Sequence, residues 1–532
     1  MFPTKICLPM LLGGVLIAYT ACRTESDKNI SAPMLTVGAS YQPPDFTYTE
    51  QEAKILEQVP LIDSMARAYM IKEHLPGLAG GIVLGGKLIH SFYFGFTNLE
   101  KKVRVDSLSD FRIASMTKSF TAMAILKLRD EGKLNLDDAA SKYIPEMDSI
   151  RYLSSDARPI TVRDLLTHRA GFPEDNPYGD RQLSDSDDDL TNMIKESPAF
   201  SNVPGISYEY SNLGFALLGK IINNISGTSY QQYITENIFI PLGMTHSYWE
   251  YTKVPPDQLA HGYRWINENW RDEALLKDGS WGSMGGLMTT IDDFSKYVAY
   301  HLSAWPPRSD AENGPLRRSS LREMHQPWNF GSLNAGNILP GGRACAILNS
   351  YGYGLGILKD CDNRTFIGHG GGLPGFGSYW RFMPEYGIGV AIFSNRTYAS
   401  ISVLTLGMLD TLLMVTKIKP YELPASAILE QRKNELMKFL PEWKDSIASN
   451  IFAENFAADY PSEALKKESA EIFNKAGKII SVSPVHPLNQ LRGNFDIQCE
   501  HGIVNISFTL TPEHNPTIQE YHIKLIVGST YQ

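Results

Sequence analysis

Apolar runs that read as strands stand at both ends of one long segment of this chain, and that placement restricts the fold more than any other feature. GLAGGIVLGGKLIHSFYFGFTN, residues 77–98, is a hairpin-like pair of runs around Gly85-Gly86, and strand-like material recurs from Tyr351 to Ser394. Between them, from about residue 115 to 300, apolar residues recur mainly at helical spacing. Strands need partners for their backbone groups and cover for their apolar faces, and the late strands are the natural partner of the early hairpin. The fold class expected is α/β, in the α+β sense: an antiparallel sheet flanked by helices, with an inserted helical lobe and a cleft between them. A helical stretch near residues 50–73 and another from Val403 to Val415 would pack on the sheet.

After about residue 420 the pattern changes. ILEQRKNELMKFLPEW and PSEALKKESAEIFNKAG read as charged amphipathic helices, followed by the alternating runs GNFDIQCE, GIVNISFTLT and IQEYHIKLIV. The expected division is a domain over 49–417 and a small C-terminal α+β domain over 418–532, the second without a catalytic constellation.

The chemistry starts at FRIASMTKSF, where Ser115 has a lysine, Lys118, three residues on. SFTAMAILKLRDEG follows with helical spacing up to Gly132, so the two side chains lie one turn apart at a helix start. A serine hydroxyl needs a nearby base, and an amine whose charge is suppressed can be one. A helix start disfavours a cation and welcomes an oxyanion. Further along, PGISYEYSNLGFALLG places Tyr210 and Asn212 just before an apolar helical stretch. Tyr210 can exchange a proton if a cation such as Lys118 draws its pKa down from about 10. Asn212 offers an amide donor and acceptor suited to holding a lysine ammonium and a substrate carbonyl.

The third segment is RTFIGHGGGLPGFGSYWRFMPEYGIGVAIFSN, with apolar runs on both sides of a glycine cluster, read as strands joined by a turn. His369 and Gly371 fall where the first run ends. Glycines there let a substrate backbone approach the strand edge and leave the Gly372 amide free to donate. Gly370, Gly372 and Gly375 also match the spacing of a dinucleotide-binding loop. Pro374 interrupts that loop and GSYWRFM follows it where a helix is required, so no cofactor is expected.

Ser-x-x-Lys, Tyr-x-Asn and His-x-Gly in this order resemble the serine β-lactamase and penicillin-binding-protein-like family, in particular its class C and DD-peptidase/esterase branch. LLTHRAGF, PGISYEYSN and SMGGLMTTIDDFSKYV are similar to that family as well, and the resemblance covers roughly residues 50 to 415. It implies that Ser115 attacks an acyl carbonyl, that Lys118 and Tyr210 share the proton transfers and that Asn212 orients the substrate. It further implies an oxyanion hole of the Ser115 and Gly372 amides, with His369 contacting the substrate or its carboxylate. Which of Lys118 and Tyr210 is the base for acylation stays open at this level.

With 532 residues, 43% of them hydrophobic, the chain can bury a large core, and a net charge of -9 without a long basic run argues against nucleic acid as a partner. MFPTKICLPMLLGGVLIAYTAC reads as a signal peptide over residues 1–22, with Cys22 as the lipidated cysteine of a bacterial lipoprotein; simple cleavage is the alternative. Residues 23–48 read as a tether. The expected location is therefore outside the cytoplasm, periplasmic or anchored to the outer membrane through lipid. There Cys345 and Cys361 either pair or stay free. No cysteine pair has zinc-site spacing, HExxH is absent, and the acidic run SDSDDDL at 184–190 reads as a solvated loop.

The reading that follows is a serine hydrolase acting on an ester, amide or lactam, esterase- or peptidase-like rather than antibiotic-hydrolysing, on a small-molecule or peptide acyl substrate. An acyltransferase delivering the acyl group to an alcohol or amine would use the same residues. The rival from another class is an inert penicillin-binding-like sensor or cell-wall-binding lipoprotein.

Overall fold

The structure, a computed structural model, describes residues 41–526 apart from 42, 45, 47, 340–341 and 444–450. The expected leader with Cys22 and most of the expected tether lie outside the described residues. Two helices open the described chain, α1 (Thr49–Leu56) and α2 (Val59–Lys72), where one stretch was expected. Pro60 in the first turn of α2 marks the break, since proline fits a helix start but not its interior.

The main sheet has nine strands: β1 (Gly77–Leu84), β2 (Lys87–Asn98), β3 (Val103–Arg104), β4 (Asn329–Asn334), β5 (Ile347–Tyr351), β6 (Gly356–Asp360), β7 (Thr365–Leu373), β8 (Phe376–Met383) and β9 (Ile388–Ser394). Their order is β3-β2-β1-β9-β8-β7-β6-β5-β4, antiparallel throughout, so the early hairpin joins the late strands through β1 and β9. The hairpin turns at Gly85 and Gly86, both at positive φ. Successive side chains point to opposite faces. Ala79, Val83, Ala391 and Phe393 therefore enter one core, while Leu78, Ile82, Val390 and Ile392, one residue away, enter another.

The first core holds the lobe. It packs α3 (Thr117–Asp130), α4 (Asn212–Ser226) and α5 (Ile291–Leu302) against the sheet. The second packs α1, α2 and α6 (Ile401–Thr416) on the opposite face. Each fully buried residue of Leu or Phe size contributes roughly 1.5–3 kcal/mol of transfer free energy, and both cores contain many.

Among the lobe helices lie elements the periodicity did not reveal, including a hairpin of Gly262–Ile266 with Asn269–Glu273 and a small sheet of Phe111–Arg112, Met288–Thr289 and Ser247–Tyr248. SDSDDDL is also not a loop. Ser186 caps a helix, Asp187–Lys195, through a reciprocal bond with Asp189, and the aspartates occupy its favourable first turn. The glycines of GHGGG belong to β7 itself, and the turn to β8 falls at Pro374-Gly375.

Gln42–Gln532 makes one compact unit. Within it, α7 (Ala427–Leu436) and α8 (Ser462–Ala476) pack on a five-stranded sheet with its own hydrophobic cluster. Its strands are β10 (Ile479–Val482), β11 (His486–Asn489), β12 (Arg492–Cys499), β13 (Gly502–Leu510) and β14 (Ile518–Ile526). Cys345 and Cys361 form a disulfide, with Cα atoms 5.3 Å apart. Among the described residues no helix is long and apolar enough to cross a membrane.

Candidate active site

Ser115 lies in a single 3₁₀ turn, Ala114–Met116, that leads directly into α3. Ala114 holds the turn open with a φ of 50°, a conformation non-glycine residues rarely adopt and one common at functional turns. Neighbouring elements fix it. The Ile113 amide donates to the Leu287 carbonyl at 3.0 Å, the Thr117 hydroxyl to the Ala114 carbonyl at 2.6 Å, and the Ser378 hydroxyl on β8 to the Ile113 carbonyl at 2.8 Å.

Lys118 follows one turn later and is fully buried. Its Nζ lies 2.9 Å from Ser115 Oγ, 2.7 Å from Asn212 Oδ1 and 3.0 Å from the Met284 carbonyl oxygen. Burial pushes its pKa down to about 7, and the carboxylates of Asp180 and Asp175 oppose that fall. Near neutrality the amine is therefore neutral part of the time. A neutral amine has two hydrogens and one lone pair, and the two oxygens beside it other than Ser115 Oγ, the Met284 carbonyl and Asn212 Oδ1, only accept; the Met284 sulfur, 3.9 Å away, is a weak acceptor. The hydrogens go to those two oxygens, which turns the lone pair towards the Ser115 hydroxyl.

Asn212 opens α4 and is oriented from behind. Its Nδ2 donates to Asn176 Oδ1 at 2.6 Å, which leaves Oδ1 to face Lys118. The Asp175 carboxylate accepts the backbone amides of Asn212 and Leu213 at 2.6 and 2.8 Å, a carboxylate on the positive end of a helix. The Tyr210 ring centroid is 4.8 Å from Lys118 Nζ, and its hydroxyl bonds with Ser115.

The expected depression of the Tyr210 pKa is not found. Burial lifts it well above 10, and the Ser115 bond only partly offsets this. The cation invoked to lower it is itself half-neutralised by burial, so Tyr210 remains a phenol and a proton donor.

His369 sits on β7. It is buried, its Nδ1 lies 2.6 Å from the Gly370 carbonyl oxygen and its Nε2 2.8 Å from the Tyr351 hydroxyl. A carbonyl only accepts, so Nδ1 carries the proton and Tyr351 donates to Nε2. Burial, then the nearby Lys118, drives its pKa down to about 3. A neutral ring with both nitrogens engaged does not bind a carboxylate.

The glycines divide their roles. A Cβ on Gly371 would lie 2.1 Å from the Ile113 carbonyl oxygen, so this position is bare to admit the nucleophile turn. A Cβ on Gly372 would meet the Tyr398 ring at 2.9 Å. β6 pairs with β7 only as far as Gly368, so the β7 edge beyond it, with Gly371 and Gly372 beside Ser115, has no strand neighbour on that side.

Sequence reasoning missed several residues around this centre. His168, within the LLTHRAGF segment, accepts the Ser211 amide at 3.0 Å, and its ring centroid is 4.3 Å from that of Tyr210. Asp175, Asn176, Asp180, Tyr351 and Tyr398 carry no motif spacing and converge only through the fold. A cavity of about 260 Å³ adjoins the centre, walled by Tyr210, His369, Tyr208, Tyr351 and Tyr379 among others. Among the described residues no group of acidic, histidine or cysteine side chains could hold a metal ion.

A family model described as Beta-lactamase matches residues 62–410. Protein flp of Staphylococcus aureus (strain NCTC 8325 / PS 47) is 29% identical over 339 residues, covering 63% of this chain and 62% of that protein. The chain thus spans less than two thirds of the length of that relative. Beta-lactamase-like protein 2 of Dictyostelium discoideum is 28% identical over 411 residues, 76% of this chain and 69% of its own. The octameric penicillin-binding protein homologue from Pyrococcus abyssi superposes with a TM-score of 0.55 at 22% identity, over 88% of this chain and 96% of that one. A class C beta-lactamase gives 0.53 at 22% identity, over 69% and 99%. The solved structures share the fold expected from the sequence.

Proposed function

The chain belongs to the Beta-lactamase family, and from that premise we propose that it is a serine hydrolase working through an acyl ester on Ser115. The observation that carries this is the lone-pair geometry at Lys118: a buried amine of pKa about 7, 2.9 Å from Ser115 Oγ, with its other partners acceptors only. Lys118 takes the serine proton as Oγ attacks the carbonyl. Tyr210, held as a phenol, supplies a proton to the leaving group and recovers one from the incoming water or through Lys118. Asn212 orients Lys118, and the Ser115 and Gly372 amides serve the developing oxyanion. Removing any one of such coupled groups typically costs 10²–10⁴-fold in rate.

The substrate is an ester, amide or lactam outside the cytoplasm, esterase- or peptidase-like, with Cys22 as the lipid anchor. An acyltransferase is the second reading, because the cavity beside Tyr210 is large enough for an acceptor. Turnover of p-nitrophenyl esters, with and without added alcohols and amines, tests both. Hydrolysis lost in Ser115→Ala supports the hydrolase, products acylated on the acceptor support the transferase, and activity unchanged in Ser115→Ala refutes both.

A further inference from the structure

LLTHRAGF takes part in no step of the proposed chemistry, yet its histidine packs directly against the phenol. His168 follows the short helix Val162–Leu166 and has a φ of 56°, a left-handed conformation that costs a non-glycine residue free energy. In that conformation its carbonyl and its imidazole both serve one neighbouring segment. The Glu209 amide donates to the His168 carbonyl at 2.9 Å, and the Ser211 amide donates to His168 Nδ1 at 3.0 Å. These are the residues on either side of Tyr210. The next two amides, those of Asn212 and Leu213, go to the Asp175 carboxylate. The turn that carries Tyr210 and Asn212 is thus held by its main chain against residues 168–175.

His168 is 2% exposed and Ser211 3%, so loss of Nδ1 would leave a buried amide without its acceptor. Because Nδ1 accepts an N–H, Nε2 carries the ring proton, and Nε2 is buried with no partner among the described residues. The ring therefore has no second partner through which to pass a proton. Burial, and then Lys118 and His369, hold its pKa well below the ordinary 6.5, so it stays neutral and an acceptor at Nδ1. It packs on Tyr210, Tyr351 and Phe215, with ring centroids 4.3, 4.6 and 5.1 Å away. A side chain that accepts one amide, relays nothing and lies against the phenol ring acts on the chemistry by fixing where that phenol points.

We propose that His168 is a positioning residue for Tyr210, its carbonyl and Nδ1 together aiming the phenol at Ser115 and the leaving group. This rests on the hydrolase reading and adds to it a residue that does not touch the substrate. The test is a double-mutant cycle in p-nitrophenyl acetate hydrolysis, built from His168→Phe, Tyr210→Phe and the double variant, with His168→Asn as the conservative change. His168→Phe keeps an aromatic body and loses the acceptor, and kcat should fall on the order of 10- to 100-fold with KM little changed. His168→Asn puts Oδ1 at the branch where Nδ1 stood and tolerates a positive φ, so it should recover most of that loss. Once Tyr210 is replaced by phenylalanine, adding His168→Phe should cost almost nothing further, because the two act as one unit. Losses that multiply in the double variant, wild-type kcat in His168→Phe, or no recovery in His168→Asn would each overturn the proposal. If His168→Phe does not fold, His168→Asn decides: kcat near the wild-type value supports the acceptor's role, and a loss as large as that of Tyr210→Phe refutes it. A wild type without any Ser115-dependent turnover is a separate failure, one that removes the hydrolase reading itself.

Discussion

The Tyr398 hydroxyl donates to the Asp180 carboxylate at 3.0 Å across 218 residues of sequence, tying the loop after β9 to the lobe beside Lys118. Asp180 is almost wholly buried, and burial pushes its own pKa up to about 6. Its charge is the largest influence opposing the loss of the Lys118 proton.

That relationship fixes the sign of a pH effect. Lys118 acts as a base only when neutral, so kcat/KM should rise with pH along a limb near 7. Asp180→Asn removes a charge that favours the ammonium and should move this limb to lower pH. A pH–rate profile on a neutral ester checks it, and a limb that stays in place or moves upward would show that Lys118 is not the titrating base.

Tyr210→Phe removes the phenol that bonds Ser115 and leaves the ring that packs 4.8 Å from the lysine nitrogen. A loss of about 10²–10⁴-fold in kcat is expected, with little change in thermal stability. The burst of p-nitrophenol and the steady-state rate separate acylation from deacylation. Wild-type rates in both phases would exclude Tyr210 from proton transfer.

Gly371→Ala would bring a methyl group to within 2.1 Å of the Ile113 carbonyl, two residues before the nucleophile. Either β7 or the Ser115 turn must move, at a cost of about 1–3 kcal/mol. Denaturant unfolding should register the destabilisation and labelling of Ser115 should slow. Unchanged stability together with unchanged labelling would mean that the approach is not as close as described.

Asp110, five residues before Ser115, is fully buried with no partner on either carboxyl oxygen among the described residues. Burial, and then Asp293, push its pKa up to about 8. The folded state therefore keeps a proton that the unfolded chain loses above its ordinary value of 3.8, so stability drains away as pH rises from there to about 8. Asp110→Asn should gain stability relative to the wild type, by up to about 4 kcal/mol more at pH 8 than at pH 5. Chemical denaturation at the two pH values decides, and a difference independent of pH would place Asp110 outside the titrating set.

Much of this architecture was legible because it rests on local periodicity. The hairpin at Gly85-Gly86 pairs β1 with β2, and Ser115 and Lys118 meet simply because a helical turn separates them. The aspartate run beginning at Asp187 was misread because its capping serine was weighed as part of an acidic loop. The protonation states of Tyr210 and His369 were out of reach for a different reason: spacing shows proximity, whereas a pKa depends on burial, which only the assembled fold supplies. Asp180 and Tyr351 belong to no motif because their partners, Tyr398 and His369, lie on other strands and loops.

Everything proposed for the centre depends on Ser115 being nucleophilic because Lys118 is neutral beside it. Intact-mass measurement after brief exposure to an alkyl fluorophosphonate, followed by peptide mapping, tests this most directly. One adduct per chain on Ser115 is predicted for the wild type, slowed at least about 100-fold in Lys118→Met and absent in Ser115→Ala. A folded wild type that takes up no label, or a Lys118→Met variant labelled as fast as the wild type, would contradict the account.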